Sequence, residues 1–207
     1  PVLYVSTVDS GNLAGHLLTL RGGLLGLADE PILTARLFAG LGDTLGLLAD
    51  SVDGADAGSA AAFRKNLEAA AASPPATIEA MRLVLLRLLA GSGELLAGTA
   101  AQLKSRDEML PENEANEWAL ALASQLDDAL AELEQLTPWL TMPPAPDGLE
   151  EFARMAAELD MPTLRGVARL EAELCPAIDL QLAAEMTPVQ CEWLAELRRL
   201  VVAGSSE

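Results

Sequence analysis

Aromatic side chains are scarce: three Trp, one Tyr and three Phe in 207 residues, 3% of the chain. Carbohydrate clefts use aromatic faces as platforms, so at most one wall of such a site can come from this chain. Histidine is scarcer still. His16 stands alone, so neither a His-based triad nor a His-rich metal site is expected from this chain. Only two cysteines occur, Cys175 and Cys191, and neither sits in a C-x-x-C pair, so zinc and redox chemistry have little support and buried free thiols are expected. Basic residues are also few, 13 Lys and Arg against 31 Asp and Glu, a net charge of -18. Phosphate binding depends on clustered Lys and Arg, so nucleic acid is not an expected partner. Anionic membrane surfaces are repelled for the same reason. Long apolar runs are missing to the eye as well. The best stretch, residues 83–96, carries Arg82, Arg87 and Glu94 in or beside it, short of the ~20 apolar residues a spanning helix needs. A soluble segment without direct membrane contact is expected.

What is present is alanine and leucine. Apolar residues make up 51% of the chain, enough to rule against disorder despite the charge, with the acidic excess keeping an apolar bundle in solution. Helical periodicity is frequent. Phe38, Leu41, Leu45 and Leu48 share one face of a helix expected to follow Pro31 at its first position. Residues 51–59 read as a Gly/Asp loop, and 60–72 as a short helix ended by Ser73-Pro74-Pro75. Ile78, Met81, Leu85 and Leu88 line the next helix, which Gly91-Ser92-Gly93 is expected to break or bend. The clearest helix follows Pro111, with Trp118, Leu122, Leu126, Leu130, Leu133 and Leu136 in steps of three or four. Asp147-x-x-Glu150 and Thr187-Pro188-x-Gln190 have the spacing of capping boxes that open later helices. Pro162 and Pro176 are expected to bracket a helix over 163–174, and the last helix buries Trp193, Leu194, Leu197 and Leu200 before stopping at Gly204. The fold class is all-α: a multi-helix bundle or array of about eight helices, with short connections making neighbours antiparallel, and a short extended segment at residues 1–8.

One tract is unlike the rest. Residues 6–13, Ser-Thr-Val-Asp-Ser-Gly-Asn-Leu, place Thr7, Asp9, Ser10, Gly11 and Asn12 between an extended apolar stretch and a helix expected to start near Asn12 and run to about Leu27. Carboxylate and amide groups such as Asp9 and Asn12 suit the hydroxyls of a polyol. The competing reading is local: Asp9 or Ser10 caps the helix. Tyr4, beside the tract, and Trp139, at a helix end next to prolines, are the aromatics best placed to face a ligand. His16 falls one turn after Asn12 and reads as a structural histidine rather than a proton carrier. Glycoside chemistry needs two carboxylates across a cleft. The acidic groups Glu112/Glu114/Glu117, Glu132/Glu134 and Glu150/Glu151 instead lie at helix starts or on polar faces, where they read as solvated, and no catalytic residue is assigned. Gly22-Gly23 lacks the context of a phosphate loop, and no cofactor or metal is indicated.

From Val5 to Arg21 the chain resembles a segment of the bacterial cyclic β-1,2-glucan synthases, within their central glucoamylase-like domain; the carrying motif is STVDSGNLAGHL, and 29–33 and 37–41 are also similar to that family. The resemblance is specific over the first 21 residues and general in character beyond about Asp50. It implies a large inner-membrane parent enzyme that transfers glucose from UDP-glucose and closes the glucan into a ring by transglycosylation. Residues 1–28 would then belong to a glucoamylase-like α/α-barrel and 29–207 to an all-α insertion, on the cytoplasmic face. The start at Pro1, in an apolar stretch, fits a fragment excised from such a parent. The resemblance implies substrate-facing roles for Tyr4, Thr7, Asp9, Ser10 and Asn12, partners in the other domains of the same chain, β-1,2-glucan as the parent's ligand, and catalytic carboxylates elsewhere. The fragment alone should be inactive. A helical interaction or scaffold domain with no carbohydrate role is the alternative, favoured by the plain Ala/Leu stripes over most of the length.

Overall fold

The computed structural model describes residues 7–51, 59–105 and 114–206, with side chains at 7–51, 59–101 and 114–206. Among these it is all-helical and without strands: α1 (Thr7–Leu27), α2 (Ala35–Ser51), α3 (Ser59–Ala72), α4 (Ile78–Ser105), α5 (Glu114–Leu136), α6 (Glu150–Ala157), α7 (Leu164–Leu182) and α8 (Pro188–Ser206), with a 3-10 turn at Pro138–Thr141. Apolar side chains gather into two cores.

The first core is a four-helix group. α2 packs on α3, α3 on α4, α4 on α5, and α5 closes the ring on α2. The stripes that make these helices amphipathic are the ones buried: Phe38, Leu41, Leu45 and Leu48 from α2, Met81, Leu85 and Leu88 from α4, and Leu122, Leu126, Leu130 and Leu133 from α5. Thr44, the one buried hydroxyl in α2, bonds back to the Gly40 carbonyl (3.2 Å) and to Gln125 Oε1 (3.1 Å), so it adds no unpaired polar group. At the edge of the α4–α5 contact, Arg82 Nε donates to Glu134 Oε1 at 2.8 Å. The second core joins α6, α7, α8 and the 3-10 turn around Trp139, Leu149, Ile178, Trp193, Leu194 and Leu197.

An extended strap at residues 159–163, with the first turn of α7, ties the parts together. Ile78 N donates to Leu159 O (3.1 Å) and Met161 N to Ala76 O (2.9 Å), so the strap pairs with the start of α4. One residue on, Ile32 N donates to Pro162 O (2.9 Å), and Arg165 N at the start of α7 donates to Ala28 O (3.0 Å), so the strap and the first turn of α7 hold the segment between α1 and α2. Met161 packs against both cores. Two proline-containing connections thus satisfy their backbone groups on one another, where no helix or sheet is available to do so.

Several local expectations are corrected. α1 begins by Thr7, so Thr7 and Val8 are helical, not extended, and Asp9 and Ser10 stand in the first turn, not at a cap before Asn12. Residues 1–6 of the expected extended segment lie outside the described residues, as does most of the 51–59 loop. Pro31 does not open α2. It forms an isolated bridge with Thr163, and Thr34 takes over the start of the helix by accepting from Arg36 N at 3.3 Å. Gly91-Ser92-Gly93 does not break α4. A Cβ on Gly91 would lie 3.2 Å from the Phe63 ring, so this glycine admits α3 close to α4 while the helix continues. Pro176 lies inside α7, the missing N–H being outweighed by the burial of Cys175 and Ile178 on either side. α8 continues past Gly204 to Ser206. Asp147 does not cap α6: residues 146–149 make a turn closed by Leu149 N to Pro146 O (3.0 Å), with Gly148 at φ 85°, and Glu150 reaches back to Gly148 N (2.9 Å). The other capping box is present: Thr187 N donates to Gln190 Oε1 (2.9 Å), and Gln190 N to Thr187 Oγ1 (3.4 Å).

Among the described residues one segment is long and apolar enough to cross a membrane by length and composition, residues 78–101, with mean hydropathy 1.4. The expectation that none qualifies is corrected on that point. In this fold Ile78, Met81, Leu85, Leu88 and Leu95 turn the same stretch into core helix.

Candidate functional site

Residues 7–13 of the tract sit on α1, and none of the α1 residues belongs to either core. None of its residues is buried. Its apolar side chains, Val8, Leu13, Leu17, Leu18, Leu20, Leu24, Leu25 and Leu27, are 49–70% exposed. Just past its C-terminal end the chain is tied to the body. There the Arg165 guanidinium grips Asp29 through Nε to Oδ1 (2.6 Å) and Nη2 to Oδ2 (3.2 Å). That hydrogen bond, the largest effect, holds the Asp29 carboxyl below its ordinary range against desolvation, with the charges of Arg165 and Arg169 adding to the lowering.

Thr7, Asp9, Ser10 and Asn12 are all exposed, in the first two turns of α1. Asp9 in the first turn complements the positive end of the helix dipole. At about 100° per residue, Thr7 and Ser10 are neighbours on one side, and Asp9 and Asn12 on roughly the opposite side. So the four do not converge on one point from α1 alone: Asp9 and Asn12 form one pair of acceptor and amide, and Thr7 and Ser10 a pair of hydroxyls. His16 continues the Asn12 side and is exposed, where the sequence reading has it satisfied structurally. Tyr4 lies outside the described residues.

Trp139, expected to face a ligand, is built into the second core. It is 4% exposed, and its indole N–H donates to the Ala156 carbonyl at 2.9 Å. Trp193 is buried as expected and donates to the Pro143 carbonyl (3.0 Å), while Trp118 is only half-buried, its Nε1 reaching Glu114 Oε1 at 3.2 Å. The two buried indoles line a cavity of about 150 Å³ with Pro143, Pro144 and Glu79, with no second carboxylate facing Glu79. A wider groove of about 370 Å³ between α2 and α5 carries Asp128 and Glu132. Both project from α5, four residues apart, and Arg36 stands among the lining residues from α2. Carboxylates on one wall do not flank a scissile bond. The other acidic groups are spoken for or solvated: Glu134 pairs with Arg82, Glu150 and Glu151 are exposed, and Glu112 lies outside the described residues. Cys175 is buried on α7 and Cys191 half-buried on α8. Burial pushes the Cys175 thiol up, so it behaves as a packed apolar group rather than a nucleophile.

A third concave region was not anticipated. Ala28, Leu136, Leu164, Arg165, Val167, Ala168, Gly204 and Ser205 enclose about 330 Å³ at the foot of α1. It depends on three helix ends meeting, a tertiary fact that no single periodicity carries. Compared with protein-family models, with curated proteins and with solved structures, the chain matches none.

Proposed function

We propose that this chain is a segment of a bacterial cyclic β-1,2-glucan synthase, contributing one wall of a sugar site and inactive by itself. The observation that carries the reading is the tract at 6–13. Its resemblance to that family coincides with a position, on the exposed first turns of α1, where its polar groups serve neither core. An Asp–Asn pair and a hydroxyl pair on opposite sides of a helix can each meet glucose hydroxyls, Asp9 accepting and Asn12 both donating and accepting. In this reading residues 1–28 belong to the parent's α/α-barrel, residues 29–207 are the helical insertion, and the whole sits at the cytoplasmic face of an inner-membrane enzyme. The glucosyl transfer from UDP-glucose, the acid–base carboxylates and the ring closure belong to other parts of the parent. A second reading, a helical interaction domain with no carbohydrate role, is favoured by the apolar side chains that α1 leaves exposed.

Asp9→Ala and Asn12→Ala in a full-length synthase carrying this segment separate the two. Each should lower ring formation from linear glucan on the order of tenfold to a hundredfold, the cost of one lost substrate hydrogen bond of about 1–3 kcal/mol, at an unchanged thermal midpoint. Undiminished cyclisation per folded molecule retires the sugar-binding reading and leaves the interaction domain.

A further inference from the structure

Two of the three tryptophans, Trp139 and Trp193, line the cavity of about 150 Å³ beside the 3-10 turn. Both indole N–H groups are spent on carbonyls, Trp139 on Ala156 (2.9 Å) and Trp193 on Pro143 (3.0 Å), so the rings have only carbon to offer a guest. Pro143 and Pro144 bring no N–H to the wall. The N–H groups of Leu140, Met142 and Ala153 are already bonded to the carbonyls of Thr137, Trp139 and Leu149. The wall is therefore rich in carbon and acceptors and poor in donors. Among its described residues there is no Lys or Arg, and the one ionisable side chain is Glu79, exposed in the first turn of α4. No ion pair of the described residues gives Glu79 a cation.

We propose that this cavity binds a small quaternary ammonium cation of the choline type, its methyl groups against the indoles and prolines and its charge balanced by Glu79. Size, charge and the shortage of donors choose that class. A cavity of about 150 Å³ admits a molecule the size of benzene, and a trimethylammonium head is of that order. Indole rings attract a cation more than any other side-chain ring does, and the attraction grows when water is excluded. Other classes fit the same wall poorly. An anion meets Glu79 and no Lys or Arg. A sugar needs donors as well as acceptors around its hydroxyls. A primary ammonium is compact and strongly hydrated, so it loses more on entering a wall of indole and proline carbon than a methylated nitrogen does. The net charge of -18 further raises the local concentration of any cation. The site does not rest on the glucan reading: no α1 residue lines it, and binding by this chain and cyclisation by a parent enzyme are separate measurements.

Calorimetric titration of the 207-residue chain with choline chloride tests it. Choline should bind with a Kd of about 1 mM or below, and the neutral dimethylbutanol in which carbon replaces the nitrogen should bind at least about tenfold more weakly. Glu79→Gln should weaken choline by about fivefold or more. Its thermal midpoint should stay unchanged, because Glu79 is exposed. Ala157→Leu, which fills the cavity from α6, should abolish the binding; should that variant not fold, the isostere and Glu79→Gln decide alone. The same cation heads phosphatidylcholine, so pelleting with phosphatidylcholine vesicles is measured beside the titration. No heat with choline, an isostere that binds as well as the cation, undiminished binding by Glu79→Gln or by a folded Ala157→Leu, or a response to vesicles without one to free choline each overturns the proposal.

Discussion

Trp139→Ala lowers the unfolding free energy by about 4 kcal/mol, the largest single-residue loss expected in this chain. The indole is 4% exposed and fills the space between the 3-10 turn, α6 and α8. Its removal leaves a cavity that rigid neighbours, among them Pro138 and Leu149, cannot close. It also strips the Ala156 carbonyl of its N–H donor at 2.9 Å, which leaves a buried acceptor unpaired unless water enters. At roughly 2–4 °C per kcal/mol for a chain of this size, the thermal midpoint should fall by about 10 °C. A drop under about 3 °C shows that Trp139 is held more loosely than its burial and hydrogen bond indicate. Trp139→Phe sorts the two contributions, since it keeps most of the volume and loses only the donor.

Gly204→Ala is the second large effect, and here two tendencies of opposite sign compete. Alanine in a helix interior is ordinarily better than glycine by about 1 kcal/mol. At 204, however, the added methyl would lie 2.7 Å from the Leu136 carbonyl oxygen, 2.9 Å from the Trp139 ring and 3.1 Å from Pro138 Cδ. The nearest of these is backbone at the end of α5, which cannot swing aside as a flexible side chain can. Overpacking of this kind costs about 1–3 kcal/mol or more, so the clash outweighs the propensity and Gly204→Ala destabilises by about 2 kcal/mol net. Gly46→Ala supplies the contrast. That glycine is exposed on α2 and a Cβ there meets nothing within 4 Å, so propensity acts alone and stability rises by up to about 1 kcal/mol. Chemical denaturation of the two variants should therefore move the midpoint in opposite directions. A stabilised Gly204→Ala contradicts the close approach of α8 to the end of α5.

Where a residue's environment is set by its own helix, the sequence reading is accurate. The stripes from Phe38 to Leu48, Ile78 to Leu88 and Leu122 to Leu133 are legible because burying one face of an amphipathic helix needs only the 3.6-residue period. The errors fall where tertiary contacts override a local cue. Pro31 and Pro162 look like helix punctuation and instead lie in the pairing between the segment after α1 and the 159–163 strap. Pro176 looks like a terminus, yet the α7–α8 contact carries the helix through it. Trp139 looks exposed beside its prolines because nothing local predicts Ala156 as a partner 17 residues away. The candidate site is legible as a run of residue types and not as a geometry. Starting α1 by Thr7 rather than near Asn12 winds Thr7, Asp9, Ser10 and Asn12 around the helix, and a spacing read in an extended frame cannot foresee that.

The account rests on the claim that the polar tract of α1 serves something other than the fold of this body. Thermal unfolding of the chain with Thr7, Asp9, Ser10 and Asn12 all replaced by alanine, in dilute solution, tests that claim most directly. Exposed substitutions away from packed features change stability by no more than about 0.5 kcal/mol each, and here the replaced residues are exposed and belong to neither core, so the midpoint of the quadruple variant should stay within about 2 °C of the parent chain. A fall of about 6 °C or more would make the tract a structural element of the bundle and contradict its assignment to a site.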